Sequence, residues 1–135
     1  MSWVVSAYEP VRHYGYCQRP DEQVYFHGRD FYRLTPGSPP PVLGEGVEIE
    51  LNPQESGIAK KVIRITEPLS EEGKVLSYDS KKGWGFLRAP DGETVFLHVL
   101  DLTPGWIPII GTRVRYYRGY KRGRARACWV QERVA

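Results

Sequence analysis

Lys82-Gly83-Trp84-Gly85-Phe86-Leu87 and, after a turn at Pro90-Asp91-Gly92, Val95-Phe96-Leu97-His98 decide how this chain folds. Both runs are short, aromatic and β-branched, and turn-forming residues separate them, which reads as two adjacent strands. Side chains at i and i+2 share one face of a strand. Trp84 and Phe86 therefore project together, as do Phe96 and His98. Val75, Leu87, Val95 and Leu97 take the other side and are enough to fill a small barrel. Four flat rings left facing water are an unusual surface. They make a platform on which unpaired bases can stack.

The pattern occurs twice. His13-Tyr14-Gly15-Tyr16-Cys17 is followed by Val24-Tyr25-Phe26-His27, about seventy residues before its counterpart. That period is too long for a solenoid repeat and suits two copies of a small domain. Helical periodicity is nearly absent, and 11 prolines and 14 glycines argue further against helices. Val47-Glu48-Ile49-Glu50-Leu51, Val62-Ile63-Arg64-Ile65, Val114-Arg115-Tyr116-Tyr117 and Cys128-Trp129-Val130 supply further strands. Five short strands per half predict an all-β chain of two five-stranded barrels in tandem, residues 1–67 and 70–135. The boundary is read at Glu67-Pro68-Leu69-Ser70-Glu71-Glu72. Ser38-Pro39-Pro40-Pro41 reads as a stiffened loop, with a polyproline ligand as the alternative.

Charge separates the halves. Residues 1–69 hold 7 Lys/Arg and 9 Asp/Glu, whereas residues 70–135 hold 12 and 7. A basic surface attracts phosphate and an acidic one does not. Cys17 and Cys128 form neither a disulfide framework nor a metal spacing, and read as reduced core residues of a cytoplasmic protein. No basic n-region, signal peptide or long apolar span is found, so no membrane partner is expected. The opening Met1 reads as the start of a complete chain.

Taken together, these residues resemble the cold-shock domain family. In the second half Gly73-Lys74-Val75 matches the first strand. Lys82-Gly83-Trp84-Gly85-Phe86-Leu87 is similar to the family's first ribonucleoprotein motif, and Val95-Phe96-Leu97-His98 to its second. Asp91-Gly92, Gly105-Trp106 and Gly111-Thr112-Arg113-Val114 fall where the family has its turns and its fourth strand. The first half resembles the domain more loosely, with His13 in place of the Gly before the first aromatic. Both halves lack a Trp typical of the first strand. Ala7 and Ser77 stand there instead, beside Tyr8 and Tyr78. The resemblance implies an OB-type barrel binding single-stranded RNA or DNA, acting as a nucleic-acid chaperone or gene-expression regulator and not as an enzyme.

The expected nucleic-acid contacts are Tyr78, Lys82, Trp84, Phe86, Arg88, Phe96, His98 and Trp106, with Arg118, Tyr120, Lys121, Arg122 and Arg124 from the fourth-to-fifth strand hairpin. Arg stacks on bases as well as meeting phosphate. Tyr8, Tyr14, Tyr16, Tyr25 and His27 form a candidate second platform. The alternative function is a protein-interaction adaptor in which one or both aromatic faces, that of the first half especially, meet a protein partner, since Tyr is also favoured at protein interfaces. No catalytic group, metal site or cofactor is expected. Asp79, Asp91 and Asp101 are scattered, and His98 has no carboxylate or second His at useful spacing.

Overall fold

The structure, a computed structural model, describes residues 2–132. It divides into two compact units that meet in sequence between Pro68 and Leu69.

The first unit contains β1 (Trp3–Glu9), β2 (Tyr14–Arg19), β3 (Glu22–His27), β4 (Phe31–Tyr32), β5 (Gly46–Leu51) and β6 (Ala59–Arg64). They form one sheet in the order β3-β2-β1-β5-β6-β4. This differs from the expected closed five-stranded barrel. Among the described residues one bridge, Tyr25 to Ile58, links β3 to the chain entering β6, with the Tyr25 N–H donating to the Gly57 carbonyl at 2.8 Å. The extra strand is the two-residue β4. A 3₁₀ turn at Gly28–Asp30 delivers it alongside β6, with Phe31 in parallel register with Val62.

The second unit contains β7 (Ser70–Asp79), β8 (Trp84–Arg88), β9 (Thr94–His98), β10 (Arg113–Lys121) and β11 (Arg124–Glu132). These close into a barrel in the order β10-β11-β9-β8-β7, with β7 pairing back onto β10. Val75, Leu87, Val95, Leu97, Val114, Tyr116, Ala127 and Val130 fill it. The linker is shorter than the sequence suggests. Ser70, Glu71 and Glu72 already pair with Tyr117, Tyr116 and Arg115.

In both units the first strand carries a bulge, between Val5 and Ala7 and between Val75 and Ser77. A bulge re-aims the residues that follow it. Ser77 then faces Phe86, and Tyr78 faces Gly85. The backbones approach closely there. A Cβ at Gly85 would lie 2.0 Å from the Ser77 carbonyl oxygen, and one at Gly15 would lie 2.4 Å from that of Ala7. Only glycine fits the middle of either aromatic-Gly-aromatic motif.

The proline loop is packed into the first unit. Ser38, Pro39, Pro41, Val42 and Leu43 are buried. The Arg64 side chain, 0% exposed, donates to the Pro39 carbonyl at 2.8 Å and the Pro40 carbonyl at 3.0 Å. It also pairs with Glu45 at 2.8 Å and lies over the Phe31 ring. Proline has no N–H, so a buried proline run offers acceptors without donors. Arg64 supplies them. The stiffened-loop reading holds, and these prolines are not presented as a ligand. Cys17 and Cys128 are buried and form no disulfide among the described residues, and burial, with Glu45 adding to it, pushes Cys17 up to about 12.

Candidate nucleic-acid interface

On the outer face of the barrel, β8 and β9 place Trp84 opposite His98 and Phe86 opposite Phe96. The intervening Gly85, Leu87, Val95 and Leu97 are buried, so the strand alternation expected from the sequence is the one observed. The rings form one connected surface. Trp84 and Phe86 meet edge-on at 5.9 Å, Phe86 and Phe96 at 5.9 Å, Trp84 and Phe96 at 6.2 Å, and Phe96 and His98 at 6.1 Å. Trp84 is 39% exposed. The Lys82 ammonium lies 5.8 Å from its ring centroid.

His98 is oriented by the backbone. Its Nδ1 accepts the Leu100 N–H at 3.1 Å, capping a 3₁₀ turn at Val99–Asp101. An occupied Nδ1 acceptor puts the proton of the neutral ring on Nε2. Burial lowers the His98 pKa, Arg126 and Lys121 lower it further, and Asp101 opposes them in part. Asp101 is thus the nearby carboxylate that spacing alone does not reveal. Its Oδ2 accepts from Arg126 Nε at 2.7 Å.

The hairpin joining β10 and β11 stands beside Phe96, since Arg126 of β11 is in parallel register with it. Phe96, Ala125, Lys121, Arg122, Arg124 and Arg126 line a cleft of about 260 Å³. Lys121 and Arg124 are direct cross-strand partners. Arg122 turns the chain with φ at 52°, followed by Gly123 at 76°. Like charges facing each other across strands are unfavourable, and a left-handed Arg adds strain. Among the described residues Lys121, Arg122 and Arg124 enter no ion pair.

Several expected contacts are elsewhere. Arg118 is committed to carboxylates: Glu71 at 2.9 Å, Asp91 at 3.0 Å and Glu93 at 2.7 Å, with its side chain 12% exposed. Glu71 also accepts from the Tyr116 hydroxyl at 2.7 Å. This network holds the β8–β9 turn to β7 and β10, so Arg118 is not offered to a phosphate. Tyr78 is half-buried against the core and desolvated, which raises its pKa. The bulge turns it inward. Trp106 is also half-buried against the core and makes no ring contact with the platform among the described residues. Tyr120 is exposed opposite Ala125, outside the ring cluster. Arg88 shares the face of Trp84 and Phe86 and pairs with Thr94, at the same end of the strands as the hairpin but across β9 from it.

The first unit repeats the ring geometry with different chemistry. Tyr14 faces His27 and Tyr16 faces Tyr25. Their ring separations are 6.3, 5.9 and 5.9 Å, with planes at 87°, 26° and 73°. The Trp84, Phe86 and Phe96 planes meet at 84°, 35° and 68° in the same order. His27 Nδ1 accepts the Arg29 N–H at 3.1 Å, as His98 accepts that of Leu100. Tyr8 does not join this surface. It pairs with Gly15 and stacks on the buried Phe26 at 6.0 Å.

No protein-family model matches the sequence, and no curated protein matches it. Among solved structures the chain is similar to drosophila Unr CSD456, at 17% identity and a TM-score of 0.40. The match covers 98% of this chain and 61% of that one, so this chain spans less than two thirds of the length of that structure.

Proposed function

We propose that the second unit binds single-stranded nucleic acid by stacking bases on Trp84, Phe86, Phe96 and His98, with Lys82 and the Lys121–Arg124 hairpin meeting the phosphates. The observation that supports this most directly is the connected ring cluster, with Trp84 exposed and Phe86, Phe96 and His98 half-buried, beside Lys121, Arg122 and Arg124, which enter no ion pair among the described residues. Ring stacking contributes roughly 1–3 kcal/mol per base and tolerates any base. The protein works without catalysis, as a nucleic-acid chaperone or regulator. It captures transiently open bases and shifts RNA or DNA away from hairpins by mass action.

A second reading applies to the first unit. Its β5–β6 connection, beside Tyr25, carries Gln54 and Glu55 where the second unit has Lys121, Arg122 and Arg124. The tyrosine face therefore suits a protein partner better than a polyanion.

Trp fluorescence during titration with short poly-dT and poly-U strands at two salt concentrations tests the main reading. Saturable quenching that weakens with salt is expected, at a log–log slope of about −0.7 per phosphate neutralised. Replacing Lys121, Arg122 and Arg124 with Ser should flatten that slope by about 2. Absence of binding to either strand overturns the reading and leaves the aromatic faces to protein partners.

A further inference from the structure

A row of three cations crosses the second unit at the end of the ring platform. Arg88 on β8 is registered opposite Lys74 on β7, and Lys74 is registered opposite Arg113 on β10. All three are exposed, and none enters an ion pair among the described residues. They line one cleft of about 270 Å³ with Ala89 and Pro90. Glu72 borders that cleft and is itself registered opposite Arg115.

Cross-strand neighbours of like charge are destabilising, and here two such pairs share Lys74. The fold does not demand them. In the first unit the same register positions are Gln18, Val4 and Gly46, paired in the same way across β2, β1 and β5. The same register forms there with a neutral row, so the register does not require the charges, which carry a repulsive cost. Local choices that oppose stability mark functional positions.

We infer that Arg88, Lys74 and Arg113 form a phosphodiester track that carries a bound strand off the rings and across β7 and β10. The inference rests on the strand-binding reading above. Arg88 follows Trp84 and Phe86 on the same face of β8, so the track is continuous with the platform. Neighbouring strands lie about 4.8 Å apart, which makes the row roughly 10 Å long and able to meet two or three successive phosphates.

The test compares oligo-dT of four and eight nucleotides on the full chain and on a Lys74→Ser/Arg113→Ser variant. In the unaltered protein the longer strand should bind more tightly, with a salt slope steeper by about 1.5 to 2. In the variant that extra slope should fall to about 0.7, and the thermal midpoint should stay level or rise because repulsion is relieved. Equal slopes for the two lengths in the unaltered protein overturn the track. So does a variant that keeps the extra slope, or one whose midpoint falls by several degrees, which would make the row structural. Failure of both strands to bind the unaltered protein removes the strand-binding reading itself, and the track with it.

Discussion

Tyr14, Tyr16 and Tyr25 stand to the first unit as Trp84, Phe86 and Phe96 stand to the second, with ring planes that agree within about 10°. What differs is the charge around the rings. The second platform is bordered by a cationic hairpin on the β9 side and a cationic row on the β7 side, whereas the first is bordered by Gln54-Glu55 and the neutral row Gln18, Val4 and Gly46. Shared ring geometry is therefore a property of the hairpin register, while the charge at its edges varies independently of it.

The backbone beneath the rings shows a reciprocal exchange. Gly83 has φ at 79°, and a Cβ there would lie 3.2 Å from Val99 Cγ1. In the first unit the left-handed residue is His13, at 57°, and the residue after the platform histidine is Gly28. A Cβ at Gly28 would lie 3.2 Å from the His13 Cβ. One glycine is kept at each crossing, on opposite sides. The same hydrogen bonds survive: His13 N–H to the Glu9 carbonyl at 2.9 Å and Gly83 N–H to the Asp79 carbonyl at 2.7 Å.

The sharpest way to separate the units is Arg64→Ala. Removing one partner of a buried ion pair leaves Glu45 with only the Val42 N–H and the Pro39 and Pro40 carbonyls without the Arg64 donors, at a cost of about 3–5 kcal/mol. Denaturant unfolding followed by circular dichroism should show the first unit melting early and the second unchanged. A single undisturbed transition would show that Arg64 is dispensable.

The next largest contrast is in binding. Trp84→Ala should weaken strand affinity by about 1–3 kcal/mol without unfolding the chain, whereas Tyr14→Ala should change it by less than about 0.5 kcal/mol. Fluorescence anisotropy with a labelled oligo-dT reads both. Equal losses would erase the functional difference between the platforms, and a lost thermal transition in Trp84→Ala would assign that ring to the core.

A smaller effect tests the glycine exchange. His13→Gly relieves about 1–2 kcal/mol of left-handed strain against about 0.4–1 kcal/mol of added unfolded-chain entropy, and should stabilise the first unit by about 0.5–1 kcal/mol. Gly83→Ala should destabilise the second by at least about 1 kcal/mol, since the strain adds to the Val99 contact. Thermal melts of the two variants moving in the same direction would contradict the exchange.

The smallest effect is pH dependence. The folded pKa of His98 lies below its ordinary value, so the unfolded chain binds the proton more tightly. The stability this confers is fully present above about pH 6.5 and is lost as pH falls through the folded value. Protonation would also set a new N–H against that of Leu100. The drop in melting temperature between pH 7 and pH 5 should shrink in His98→Gln. An identical drop would assign the pH dependence to other groups.

The sequence by itself did not determine the short β4 or the open edge of the first sheet, but it determined the principal strands, the platform rings and the imbalance of charge. These follow from a period of two and from glycines between aromatics, and both are local properties of the chain. It could not tell which cations are free, because Arg118, Lys121, Arg122 and Arg124 look alike along the chain. Arg118 finds Glu71, Asp91 and Glu93 only when β7, the β8–β9 turn and β10 converge. Nor could it orient Tyr8 and Tyr78, since one bulged residue reverses which face the alternation selects. The row of Arg88, Lys74 and Arg113 was equally hidden, its members separated by more than ten residues and joined only by sheet register. Tertiary structure decided these points because ion pairing, bulge placement and register depend on which strands become neighbours, and the closing of the sheet fixes that.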